Sequence, residues 1–168
     1  LPKLGSRLRL LDIGSCKNFF GERYPELFET TALDQCPADS SVFECDFLNL
    51  EIVTRASKGD DAHPQFASEE GSGAGQLEWL AQHSFDVAVI SQVLSFIPDA
   101  DARALVVEKT RQLLRSDESG ILLVVEPVRV IRHAGAQLIA AIEARHFRYI
   151  PGFRYERRGD AGVGLAFA

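Results

Sequence analysis

Five short apolar runs constrain this chain more than any other feature: Leu8 to Ile13, Thr30 to Leu33, Val42 to Cys45, Val87 to Ile90 and Ile121 to Val125. They are largely continuous rather than alternating, the pattern of strands covered on both faces in a parallel sheet. Helical periodicity fills the intervals. Asp101 to Leu114 reads as a helix capped by Asp99 or Asp101. Its expected buried face carries Ala102, Leu105, Val106, Lys109 and Leu113, with the lysine stem lying along it. Ile131 to Arg145 repeats the spacing at Ile131, Gly135, Leu138, Ile139 and Ile142. Gln76 to His83, which holds the single tryptophan Trp79, reads as a short helix leading into the fourth strand. Phe147 to Tyr155 and Gly162 to Phe167 read as two final strands, the first bulged at Pro151-Gly152, joined by a turn containing Gly-Asp. The expected architecture is a doubly wound α/β sheet that ends in a hairpin-like pair.

The 168 residues, 46% hydrophobic and 25% charged, fit one globular domain spanning 1–168. A chain of this length buries roughly 70% of its unfolded surface, so its core needs neither metal nor disulfide. No apolar run approaches the roughly 18 residues of a membrane span. Three cysteines, Cys16, Cys36 and Cys45, lack CxxC spacing, which argues against a zinc cage and for buried thiols in a reducing compartment. The segment 54–75 offers few core residues and two glycine-rich stretches, so a flexible surface loop is expected there. The chain contains no methionine and opens at Leu1, and so reads as a piece of a longer protein.

Charge is distributed unevenly. Leu1 to Glu126 carries 11 Lys/Arg against 21 Asp/Glu, and Pro127 to Ala168 carries 7 Arg against 3 acids. An acidic domain binds nucleic acid poorly overall, because phosphate attraction needs clustered cations. The basic tail leaves room for a local anionic contact.

Acids stand at the ends of three successive strands. Asp12 closes the first, with Gly14 in the turn behind it; Asp34 closes the second, 20 residues after Gly14; Asp46, followed by Phe47, closes the third. Ligands of open α/β sheets bind beside the first turn, where strand order reverses. There Gly14 lets backbone approach a ligand closely, Asp34 can accept ribose hydroxyls, and Asp46-Phe47 can offer an acceptor and a ring face to adenine. Singly, each acid reads equally well as a turn or cap residue. The third glycine of GxGxxG is missing, and nothing matches GxxxxGK[ST]. A nucleoside without pyrophosphate fits better, and S-adenosylmethionine is such a ligand, its cationic groups suited to Asp12, Asp34 and Asp46.

Four strings carry a family resemblance: Leu10-Leu11-Asp12-Ile13-Gly14-Ser15-Cys16-Lys17-Asn18-Phe19-Phe20, Ala32-Leu33-Asp34-Gln35-Cys36-Pro37-Ala38, Val42-Phe43-Glu44-Cys45-Asp46-Phe47-Leu48-Asn49-Leu50, and Phe85 to Pro98. Together they resemble the family that holds the S-adenosylmethionine sensor upstream of the TOR kinase complex and the fungal enzymes that methylate adenine in large-subunit ribosomal RNA. The resemblance implies a Rossmann-like class I methyltransferase fold, with a mostly parallel seven-stranded sheet, helices on both faces and the last strand antiparallel. It also implies S-adenosyl-L-methionine as cofactor, with Gly14, Asp34, Asp46, Phe47 and Ser91 at ligand-binding positions. The family's helical N-terminal region has no counterpart before Leu1. Asn18-Phe19-Phe20 stands where animal sensors tend to show Asn-Pro-Phe, which predicts a differently shaped turn.

Two functions follow from the resemblance. One is methyl transfer to ring N1 of adenine in ribosomal RNA, which needs no general base because the nitrogen attacks with a lone pair. Enzymes acting on the exocyclic amine resemble one another in Asn/Asp-Pro-Pro-Tyr/Phe after the fourth strand, where this chain reads Ser91-Gln92-Val93-Leu94. RNA would then meet Arg145, Arg148, Arg154, Arg157 and Arg158, in the nucleus or nucleolus. The other function is a cytoplasmic S-adenosylmethionine sensor whose partners are TOR-pathway regulatory complexes. Neither needs a metal or a membrane span.

Overall fold

The computed structural model describes residues 6–54, 66–67, 75–117, 119–156 and 162–168. Its strands are β1 (Leu8–Ile13), β2 (Phe28–Asp34), β3 (Phe43–Glu44), β4 (Glu51–Val53), β5 (Phe66–Ala67), β6 (Gln76–Leu77), β7 (Trp79–Ala81), β8 (Val87–Ser91), β9 (Ile121–Pro127), β10 (Tyr149–Glu156) and β11 (Gly162–Phe167). The helices are α1 (Phe19–Arg23), α2 (Ala100–Leu113) and α3 (Val128–Glu143). The main sheet runs β10-β11-β9-β8-β1-β2-β3-β6-β5, and β4 pairs with β7 beside it. From β3 across to β9 every pairing is parallel, and β11 is antiparallel to both of its neighbours. The two strands beyond the expected seven, β6 and β5, are two-residue extensions at the β3 edge.

The apolar runs become the centre of this sheet. Leu10, Leu11 and Ile13 of β1 and Ala88, Val89 and Ile90 of β8 are buried. β9 instead alternates: Leu122, Val124 and Glu126 are buried on the side of α2 and α3, and Ile121, Leu123 and Val125 are half-buried on the other. β1 is locked to β8 at its start, where the Asp86 carboxylate accepts the Arg9 N–H at 2.8 Å and faces the Arg115 guanidinium at 3.4 Å.

The expected helix over Gln76 to His83 is two short strands. Gln76 and Glu78 are exposed while Leu77 and Trp79 are buried, a period of two. Partners are at hand: Glu44 for Gln76, and Glu51 to Val53 for Trp79 to Ala81.

In α2 the cap is Asp99, which accepts the Ala102 N–H at 2.7 Å. Its buried stripe is Val106, Val107, Thr110 and Leu113, rotated from the expected one, so that Leu105 is exposed. Lys109 lies along the surface as its stem predicts, with Nζ donating to Leu48 O at 2.7 Å and Leu50 O at 2.6 Å. α3 starts earlier than its periodicity, at Val128 behind Pro127, and buries Ile131, Gly135 and Ile142. The β10 bulge is where Pro151-Gly152 placed it, as a register shift between Tyr149 and Arg154. Cys45 is buried, but Cys16 and Cys36 are exposed, contrary to the expectation of three buried thiols. Apart from Thr54, Phe66–Ala67 and Gly75, the 54–75 loop lies outside the described residues, as does the turn between β10 and β11. No described helix is long and apolar enough to cross a membrane.

Candidate functional site

β1 pairs with β2 on one side and β8 on the other, so strand order reverses at β1 and a crevice opens at the carboxyl ends. A cleft of about 250 Å³ lies there, lined by Gly14, Asp34, Asp46, Phe47, Val93 and Phe96 among others. Four of the six candidate residues thus meet in one place. Asp12 and Ser91 do not line it.

Gly14 takes φ +78°, a left-handed conformation, and its N–H reaches Leu33 O at 2.9 Å. A Cβ there would sit 2.4 Å from Val93 Cγ2 and 3.0 Å from Ser91 O. The bare backbone of the turn is therefore packed against the segment that follows β8. Ser91 contributes this carbonyl to the packing rather than a side chain to the cleft.

Asp12 lies beneath the turn, 2% exposed, and accepts the Ser15 hydroxyl at 2.7 Å. Ser15 Oγ in turn accepts the Asn18 N–H at 3.0 Å. Asp12 therefore shapes the turn from below. Burial pushes its carboxyl up to about 6; the Ser15 hydrogen bond opposes this and the Asp34 charge adds to it. A native state that holds its proton more tightly than the unfolded chain, with its ordinary 3.8, loses stability as pH rises from about 4 through 6. Asp12→Asn keeps an acceptor for Ser15 and cannot ionise. It should therefore lack this slope and be the more stable protein at pH 8, by about 3 kcal/mol for a shift near two units. Urea unfolding of both proteins at pH 4 and pH 8 checks this; a variant less stable than the native protein at pH 8 contradicts it.

Asp34 closes β2, and its two oxygens hold the two sides of the rim. Oδ1 accepts the Cys36 N–H at 2.8 Å and Oδ2 the Cys16 N–H at 3.2 Å. Asp46 works similarly, with Oδ1 accepting the Leu48 N–H at 3.1 Å and Oδ2 the Asn49 amide at 2.7 Å. Each acid is thus a turn residue, and each is also a cleft residue. A carboxylate has about four acceptor positions, so two on each remain for ligand hydroxyls or amines.

Phe47 is 6% exposed and shows the cleft only an edge of its surface. The Lys109 ammonium sits 5.8 Å from its ring centroid, fixing the ring from behind. Burial lowers the Lys109 pKa, and burial likewise pushes the neighbouring Cys45 thiol up to about 11, leaving it protonated at neutral pH.

The opposite wall escaped sequence reasoning. Gln92 adopts φ +54° and its N–H bonds Val125 O at 2.7 Å, turning the chain so that Val93 meets Gly14 and Phe96 stands 76% exposed at the cleft. The available signal was position alone, since residues directly after the strand at the switch point face the crevice. Of the five tail arginines, only Arg145 and Arg148 have described side chains.

No family model matches the chain. Over 121 residues, 72% of this chain, it is 36% identical to proteins of Danio rerio and Xenopus laevis, both named S-adenosylmethionine sensor upstream of mTORC1. The match spans only 29% and 28% of those relatives' own length. Among solved structures, the N-methyltransferase NodS of Bradyrhizobium japonicum, in complex with S-adenosyl-L-homocysteine, superimposes with a TM-score of 0.59 at 15% identity, covering 98% of this chain and 79% of that one. The 1,6-didemethyltoxoflavin-N1-methyltransferase of Burkholderia thailandensis gives 0.60 at 16% identity, covering 98% and 72%. The chain is thus a domain of the class I methyltransferase fold, homologous over 121 residues to the curated S-adenosylmethionine sensors.

Proposed function

We propose that this domain binds S-adenosylmethionine, with the adenosine in the cleft at the switch point, and that occupancy is read by protein partners of the TOR pathway. The observation that carries the reading is the meeting, in one cleft, of the left-handed Gly14 turn, whose bare backbone packs against Val93, with the remaining acceptor positions of Asp34 and Asp46. A nucleoside needs this close backbone approach and these acceptors. A pyrophosphate needs in addition a long helix leaving the first turn, and here the turn passes through Cys16 and Asn18, both at positive φ, into a helix of five residues. In this reading Asp34 accepts the ribose hydroxyls, Asp46 the adenine amine, and Phe47 supplies an apolar edge to the ring. Asp12 and Ser91 act through the turn they support. The cofactor, when bound, supplies an electrophilic methyl group.

The name of the curated relatives supports sensing over RNA methylation. Adenine N1 methylation in ribosomal RNA is the second reading, and the basic tail is the feature that favours it. Titration calorimetry is expected to show binding of both S-adenosylmethionine and S-adenosylhomocysteine, which share the adenosine, and no binding of NAD or ATP. Preferential binding of NAD or ATP overturns the assignment. In the whole protein, ligand-dependent capture of a TOR-pathway complex supports sensing, and tight RNA binding that depends on the tail arginines favours methyl transfer.

A further inference from the structure

A second cavity, of about 520 Å³, lies between α2 and α3 beneath the carboxyl end of β9. This is within the range of small-molecule sites. Its lining is mostly apolar, with Leu94, Ala104, Val107, Leu138 and Ala141 on its walls. Ser95, Asp101, Arg103, Gln137 and Arg145 add polar groups to it, and Glu126 stands out among them. Glu126 lines the cavity from β9 and is 0% exposed, yet its Oε2 has no hydrogen-bond partner. Its Oε1 accepts the Ser95 N–H at a long 3.3 Å, with the Ser95 hydroxyl and the Leu94 N–H close by.

A buried carboxyl oxygen left unpaired is costly, and such groups in native proteins are nearly always satisfied. The nearby cations do not satisfy it. Arg103 is committed elsewhere, its Nη1 donating to Ile97 O at 2.6 Å and Pro98 O at 2.9 Å. Arg145 and the exposed Asp101 also line the cavity, and neither bonds Glu126.

We propose that this cavity is a binding site for a compact, mainly apolar molecule carrying one basic or ambivalent nitrogen, which pairs with Glu126 Oε2. Such a nitrogen suits the site in either protonation state of the carboxyl. Ionised, Oε2 accepts an N–H; protonated, it donates to the nitrogen lone pair. Burial raises the Glu126 pKa, with the Ser95 hydroxyl and the Ser95 and Leu94 N–H groups pulling the other way. The site is separate from the nucleoside cleft and rests on no part of that reading. The segment from Val93 to Ile97 runs between the two, with Val93 and Ile97 facing the cleft and Leu94 and Ser95 facing the cavity.

Benzimidazole, which both donates and accepts, and indene, its hydrocarbon analogue, form a matched pair of probes. Titrated into the whole protein and followed by the methyl resonances of Ala104, Ala141 and Leu138, benzimidazole should bind at least fivefold more tightly than indene. Glu126→Leu should remove that preference while still binding indene. Added S-adenosylmethionine should not displace either probe. Equal affinities in the native protein, or shifts confined to Val93 and Phe96 in place of the three named methyls, would overturn the proposal. The native comparison decides the matter even where the variant fails to fold.

Discussion

Gly14→Ala should weaken S-adenosylmethionine binding by at least a hundredfold. The added methyl falls 2.4 Å from Val93 Cγ2, so either the first turn or the segment after β8 must move, and both wall the cleft. Positive φ adds a backbone penalty of about 1 to 2 kcal/mol. The two costs can be separated with Gly152→Ala, because Gly152 has φ +90° in β10 and nothing within 4 Å of its would-be Cβ. Both variants should lose stability in urea, and only Gly14→Ala should lose ligand by calorimetry. Unchanged affinity in Gly14→Ala would mean that the ligand does not approach this turn.

Asp34→Ala is the second large effect, expected to lower affinity at least tenfold through loss of its hydrogen bonds to ribose, each worth roughly 1.5 to 3 kcal/mol to a charged acceptor. Read purely as a ligand contact, the residue is expected to leave the melting temperature of the ligand-free protein nearly unchanged. Its bonds to the Cys16 and Cys36 N–H groups revise that expectation: the ligand-free protein should also lose about 1 kcal/mol or somewhat more. Asp34→Asn retains one acceptor oxygen and should fall between. Affinity that is equal in all three proteins would reduce Asp34 to a turn residue.

The parts of the fold that were legible in the sequence are those where burial and periodicity coincide. β1, β8 and β11 appear within a residue of their apolar runs, and Asp99, a nominated cap, holds the start of α2. The 76–83 segment misled because Leu77, Trp79 and Leu80 among polar residues fit a helix as readily as a strand. The choice was made by the unpaired edges of β3 and β4, which no local pattern reveals. Among the cleft residues, Asp34 ends β2, and Gly14, Asp46 and Phe47 fall within three residues of the ends of β1 and β3, a position that is readable from the apolar runs. Phe96 and Val93 could not be placed in the cleft this way, since the Gln92 turn that brings them to Gly14 depends on a bond to β9 that lies far off in sequence. Glu126 carried no signal in the sequence; only the cavity beside it gives its unpaired oxygen meaning.

The place of β1 has a kinetic consequence. It is the first strand of the described sheet in chain order and the central one, yet its β8 partner follows more than seventy residues later, and the Asp86 carboxylate that receives the Arg9 N–H arrives with it. Until then β1 and β2 have one open edge of apolar backbone. Folding of this domain must therefore wait for long-range closure and is expected to be slow for its size. A nascent chain stalled before β8 would be the form most in need of a chaperone.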